Sequence, residues 1–406
     1  MINNEKEKTA SLEKRYDNGT SARRLQPTKK RLPLIKICAA LILSLGCAAE
    51  ASAQSLPQKA CRFHPGHYLA LPGEDRPTTD MEKALKPDTP FKGVQKIYSW
   101  NALEPSPGHY DFSLIKADLA SLRRRNKRLI VQVWTKTFHP ERGPNHPTFL
   151  KGSPKPGGGY YSAVFRPERT GGYSLAFWDP AVAFQCRNLY KAIGKELSCD
   201  PNVSALEAVN LDETAWGNLK ADEQALQDAG TMPYNREKFG QNMMLMFKGL
   251  NDSLPHTVAI QFINWPQDLV PYFVQQVFSM GGGIGGPDLH PDLNIPTYAH
   301  LPSLAGMVPL GFAVQWPDTY TPPRTGRPHN RADVIRTLRF AQQLKLNYVF
   351  WIQRSGYIEI VEEVLKDPSV VKQSDPAGGL VARYPLSVLP INSTVVNGPK
   401  PFPPGL

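Results

Sequence analysis

Short apolar runs alternate with longer amphipathic ones along most of this chain. The strand-like runs fall at residues 62–71, ending at Pro72-Gly73, and at 94–98, 129–135, 203–211, 257–263, 283–289, 310–316 and 348–352. Between them lie stretches whose apolar positions recur at helical spacing: 113–125, 236–250, 269–280, 331–344 and 358–366. In the first of these, Leu114, Ala117, Leu119, Ala120 and Leu122 form one face. Another helix opens at Trp178-Asp179-Pro180, an N-cap aspartate followed by proline at the first helical position. Val182, Cys186, Leu189, Ile193 and Leu197 then continue its apolar stripe.

Alternation of strand and helix predicts a parallel sheet with right-handed crossovers. Eight such pairs select a closed (β/α)8, or TIM, barrel over an open doubly wound sheet. The open sheet would also want a glycine-rich phosphate turn after its first strand, and none is present, so no cofactor is expected. Two long loops, 139–177 and 281–307, follow strands on the upper face, where barrel active sites are built. The 39 prolines and 31 glycines of this 406-residue chain suit long loops of that kind.

The first 53 residues stand apart from the barrel. Lys29, Lys30, Arg31 and Lys36 flank a short apolar run at 37–47, and Ala51-Ser52-Ala53 supplies the small residues that precede signal cleavage. The expected organisation is a signal peptide over 1–53, a barrel over 54–370 and a proline-rich tail over 371–406. The expected location is periplasmic or secreted, without stable membrane insertion after cleavage; the alternative is a retained anchor helix. Removing this segment takes away 10 Lys and Arg and 5 Asp and Glu, so the charge excess falls from +11 to +6. The remaining basic cluster, Arg123-Arg124-Arg125 with Lys127-Arg128, sits at a helix C-terminus where cations suit the helix dipole, and no nucleic-acid partner is expected.

Cys61, Cys186 and Cys199 follow the cleavage site. One continuous helix would hold Cys186 and Cys199 ~20 Å apart at 1.5 Å per residue, beyond disulfide reach. Cys61 and Cys199 both precede barrel strands on the lower rim, so a Cys61–Cys199 disulfide is expected, with Cys186 a buried thiol. No CxxC, HExxH or His-x-His pattern calls for a metal, and no Gly-x-Ser-x-Gly elbow calls for a serine nucleophile.

The most specific segment runs Trp100-Asn101-Ala102-Leu103-Glu104-Pro105, then Gly108-His109-Tyr110-Asp111-Phe112. It resembles the W-x-x-L-E-P-x-x-G-x-Y-D-F stretch after strand two of clan A retaining glycoside hydrolases, particularly the β-galactosidase-like families. The resemblance rests on this motif and the strand order over about residues 62–366. It implies that Trp100 helps hold the strand-two end of a sugar site, while Glu104 is more often a carboxylate that fixes a loop. It also implies an acid/base glutamate ending strand four, where this chain has Asp212-Glu213. Burial near aromatic rings and a second carboxylate would raise the pKa of Glu213 as an acid requires.

The clan's nucleophile belongs on strand seven, where this chain offers Gln315, and an amide cannot play that part. Asp318, just beyond the strand, or Asp288, near the end of strand six, is then the candidate second carboxylate. An inverting geometry would fit such a displaced partner, and the remaining alternative is a barrel that binds sugar without cleaving it. Trp100, Trp134, Trp216, Trp265, Trp316 and Trp351 fall at predicted upper strand ends, as platforms for the apolar faces of sugar rings. Asp212, Gln261 and Gln315 are the expected polar neighbours. The sequence therefore predicts an exported barrel acting on a poly- or oligosaccharide.

Overall fold

The computed structural model describes residues 56–137, 145–150, 174–215, 234–315 and 330–393. A two-residue strand, β1 (Lys59–Ala60), leads into eight parallel strands that close on themselves. These are β2 (Gly66–Glu74), β3 (Gly93–Ser99), β4 (Arg128–Trp134), β5 (Leu206–Leu211), β6 (Val258–Phe262), β7 (Gly283–Gly286), β8 (Leu310–Val314) and β9 (Tyr348–Ile352). Each pairs with the next, and β9 pairs back onto β2 from Gly66↔Tyr348 to Ala70↔Ile352. The helices are α1 (Thr78–Ala84), α2 (Trp100–Leu103), α3 (Ser113–Arg124), α4 (Pro180–Ser198), α5 (Arg236–Ser253), α6 (Val270–Ser279), α7 (Leu301–Leu304), α8 (Arg331–Gln343) and α9 (Ile358–Lys366). The expected (β/α)8 barrel is the fold of the chain.

Two-residue periodicity divides the apolar side chains between two cores. Tyr68, Ala70, Ile130, Ala208, Ile260, Phe262, Tyr348 and Phe350 fill the barrel interior. Their strand neighbours Leu69, Leu71, Leu129, Val131, Val209, Val349 and Trp351 join the larger core shared with the helices. This phase decides which side chains at the strand ends can face the mouth. The glycines of β7 let neighbouring strands approach, since a Cβ on Gly285 would stand 1.9 Å from the Gly311 carbonyl oxygen.

Helix starts follow their local chemistry. The Asp179 side chain accepts from Ala181 N at 2.8 Å, with Pro180 opening α4 as expected. Asn330 and Asp333 form a reciprocal capping box at α8. The first barrel strand does not stop at Pro72-Gly73 but reaches Glu74, with its register against β3 shifting after Ala70. The fourth starts at Leu206 rather than 203, because Val203–Ala205 forms a 3-10 turn.

Two polar clusters are buried within this scaffold. A register shift in β5 leaves Glu207 unpaired across the ladder and turns its carboxylate into the barrel floor. There it accepts from His64 N at 2.6 Å, His64 Nδ1 at 2.7 Å and Tyr348 OH at 2.7 Å. In the outer core, Asp118 of α3 accepts from the Lys96 ammonium and from Tyr98 OH, and all three are fully buried.

The disulfide expectation is corrected: Cys61, Cys186 and Cys199 are all free thiols. Cys61 is buried just after β1, and burial beside Glu207 pushes its thiol up to about 12. Cys199 caps the end of α4 and is exposed. Beyond residue 370 the chain packs under the barrel, burying Val371, Ala377, Leu380 and Val388. It ends its described course with β10 (Val388–Leu389), parallel to β1. Among the described residues, no helix is long and apolar enough to cross a membrane.

Replacing Asp118 by Ala would leave the Lys96 ammonium buried without its carboxylate. Breaking a buried pair in this way costs about 3–5 kcal/mol, so urea unfolding followed by circular dichroism should show a loss of that order. An unchanged midpoint would mean that the pair contributes nothing to stability.

Candidate active site

The C-terminal ends of parallel barrel strands converge on one mouth. By the phase of their strands, Trp134 follows Ile130 and Gln132 inward, Asp212 follows Ala208 and Asn210, and Gln315 follows Ala313. Asp288 follows β7, bridging to Val314, while its carbonyl accepts from Tyr298 OH at 2.6 Å. Asn264 and Trp265 follow β6.

The turn 212–215 is held from both sides. From the β4 side, Thr135 N and Oγ1 each donate to an Asp212 carboxylate oxygen at 3.1 Å. Lys136 Nζ donates to the carbonyls of Glu213 and Ala215, both at 2.5 Å. From the β6 side, the Asn264 amide donates to the Glu213 carboxylate and accepts from Ala215 N at 3.1 Å. Thr214 Oγ1 accepts from Asn264 N at 3.2 Å and Trp265 N at 3.3 Å. The Asp212 Oδ1 atom accepts from Glu213 N at 2.8 Å, which fixes the angle between the two acids.

Burial pushes the half-buried Glu213 carboxyl up to about 7. The Lys136 ammonium and the Asn264 hydrogen bond oppose the shift, while Asp288 and Asp212 add to it by like-charge repulsion. Asp212 is also raised by burial, against Lys136 and its own hydrogen bonds. Burial alone lifts Asp288 to about 6. The mouth thus gathers three carboxyl groups whose ionised forms are disfavoured, with one buried cation among them.

Not every expected residue reaches this mouth. Trp100 is fully buried in the outer core, where its indole donates to Glu104 Oε2 at 2.7 Å. Glu104 also accepts from Gly108 N at 2.9 Å and so fixes the loop, leaving Trp100 no face for a sugar. Trp351 is likewise fully buried on the outer face of β9, donating to His67 Nδ1 at 3.0 Å, so its expected platform role is corrected as well. Gln261 lies in phase with Ala259 and Ile263 and is fully buried; its amide holds the Asp212 carbonyl at 2.7 Å. It shapes the turn and is withdrawn as a sugar contact.

Trp134 and Trp265 remain half-buried, and their indole N–H groups find no acceptor among the described residues. Trp216, Trp316 and Asp318 lie outside the described residues. Thr135, Lys136, Asn145 and Glu74 also belong to this network, although no sequence motif marks them. Asn145 Nδ2 donates to the Lys136 carbonyl at 2.8 Å and to Glu74 Oε1 at 3.3 Å. Thr135 and Lys136 carry a local signal in their place just past β4, whereas Glu74 ends β2 and Asn145 stands well beyond any strand end. No group of three or more His, Cys, Asp and Glu among the described residues could hold a metal ion.

The fold and the mouth define a (β/α)8 barrel with clustered acids at its strand ends. A comparison with protein-family models gives no match, and neither does one with curated proteins. Among solved structures, the chain is similar to a cold-adapted beta-galactosidase from Rahnella sp. R3, with 11% identity and a TM-score of 0.45 over 73% of this chain. It is also similar to an exo-beta-1,4-mannosidase from Opitutaceae bacterium strain TAV5, with 15% identity and a TM-score of 0.42 over 77%. GH5_18 from Streptomyces cattleya, in complex with GlcNAc, gives 12% identity and a TM-score of 0.48 over 72% of this chain and 71% of that one. The chain spans 52% of the beta-galactosidase and 57% of the mannosidase.

The raised Glu213 has a consequence for stability. Above about pH 4.5 the unfolded chain ionises this group, while the folded chain keeps it protonated until about pH 7. The native state binds the extra proton, so this contribution to stability falls as pH rises through that window. Glu213→Gln should therefore unfold at higher urea than the parent at pH 8, by on the order of 2–3 kcal/mol. The gap should close below pH 4, and a pH-independent gap would contradict the assignment.

Proposed function

We propose that this chain is an exported glycoside hydrolase that cleaves O-glycosidic bonds in a poly- or oligosaccharide. Glu213 is its proton donor and Asp288 its second carboxylate. The observation that carries this reading is the half-buried Glu213 carboxyl, held near neutrality at the end of β5 with Asp288 close enough to repel its ionised form. A glycosidic oxygen leaves only when protonated as its bond breaks, so its acid must keep its proton near neutral pH. Asp288, raised less, ionises first and becomes the carboxylate that activates water or attacks the anomeric carbon. Trp134 and Trp265 offer ring faces to the sugar, with Asp212 accepting from its hydroxyls.

The productive form has Asp288 ionised and Glu213 protonated, which places it between about pH 6 and about pH 7. The pH dependence of kcat/KM on a cleaved glycan should be a bell with limbs near those values, belonging to the pair as a unit. A rate that climbs steadily to pH 9 would sink the assignment of Glu213 as acid. Glu213→Gln should lower kcat by roughly 10²–10⁴ while isothermal titration shows glycan binding unchanged. Export enters the same proposal through the apolar run at 37–47 and Ala51-Ser52-Ala53. N-terminal sequencing of the protein recovered outside the cytoplasm should then begin at Gln54.

One observation favours a second reading. Gln315 stands immediately after β8, where the resembled family carries a carboxylate nucleophile. A barrel that only binds carbohydrate would show binding across a glycan panel, with cleavage of none.

A further inference from the structure

Two consecutive residues past β4 hold two consecutive residues past β5. Thr135 takes the Asp212 carboxylate, and Lys136 takes the main chain around Glu213. Lys136 is almost completely buried, and its ammonium straddles Thr214 by bonding the carbonyls on either side of it. Its own carbonyl is fixed by Asn145, which reaches across to Glu74 at the end of β2. A lysine that only tied a loop would do as well at the rim, with its charge in water. This one brings a positive charge beside two carboxyl groups, those of Asp212 and Glu213.

We propose that Lys136 is the positioning residue of the mouth, whose buried positive charge, held by the carbonyls of Glu213 and Ala215, sets where Glu213 points and how readily it gives up its proton. This rests on the reading of Glu213 as the acid, though its physical content does not need catalysis. Among the described residues, charged and polar groups act on Glu213 from several elements. Asp212 on its own turn and Asp288 after β7 raise its proton affinity, Asn264 after β6 lowers it through a hydrogen bond, and Lys136 lowers it by charge. Behind the turn, Cys186 and Tyr190 of α4 are fully buried and held neutral by burial, so they add no competing charge. Lys136 is the opposing cation in this set, and its charge is the largest counterweight to burial for both Asp212 and Glu213.

The charge and the clamp separate by substitution. Lys136→Met removes both, whereas Lys136→Arg keeps the charge on a planar fork that cannot straddle the same two carbonyls in the same way. The experiment follows Glu213 by ¹³C NMR of side-chain carboxyl-labelled glutamate in the full chain, with Glu213→Gln identifying the resonance. An opposite charge at close range shifts a carboxylate by about 1–3 units. Lys136→Met is therefore expected to raise the Glu213 midpoint by about one unit or more, and Lys136→Arg to leave it within a few tenths. Where Lys136→Met does not fold, Lys136→Gln takes its place. A midpoint unchanged in a folded, uncharged variant overturns the proposal, even if thermal stability falls, because a purely structural lysine would give that result. If the midpoint moves but the parent cleaves no glycan, the hydrolase reading fails and the role of Lys136 stands.

Discussion

Closure of the barrel is the constraint on which everything else in this molecule depends. Eight parallel strands joined edge to edge must all finish at the same end, so residues far apart in sequence meet at one rim. Thr135 and Asp212 are 77 positions apart, yet adjacent strands bring them into hydrogen-bond contact. The same closure fixes the phase of each strand. Once Tyr348 and Phe350 face inward, Trp351 must face out, whatever its chemistry would favour.

That phase marks where the sequence could be read and where it could not. The order of strands and helices was legible because each element has its own length and punctuation, such as Asp179-Pro180 opening α4. The phase of a strand buried on both faces was not. Tyr348–Ile352 is apolar throughout, so nothing in its pattern says which residues enter the barrel. Trp351 and Gln261 were misplaced for that reason. Trp100 misled differently, since it begins a helical turn and its indole is taken by Glu104 four residues on. The placement of Glu213, Asp212 and Asp288 at the mouth was legible because each stands just past a strand end, and those ends converge on one face. Lys136 was not, because its meaning lies in carbonyl groups supplied by the next strand.

Polar groups in this fold sit at three depths, and each depth imposes a different requirement. On the floor, Glu207 is satisfied by three donors, two of them on His64. In the outer core, Asp118 is matched by Lys96 and Tyr98. At the mouth, among the described residues, three acids stand with the Lys136 ammonium, and the Trp134 and Trp265 indole N–H groups have no acceptor. Asp118 Oδ1 and both polar side-chain atoms of Asn210 also lack partners among the described residues, so unsatisfied groups are not confined to the mouth.

The short parallel pairing of β1 with β10 has a topological consequence. It stitches Lys59 to Val388 and Ala60 to Leu389 on the underside, away from the rim where the acids gather. The beginning and end of the described chain therefore lie side by side at the far pole from the chemistry. A linker joining them would be short, and new termini opened in a surface turn would leave the eight-stranded ring intact. The described segment is thus suited to circular permutation.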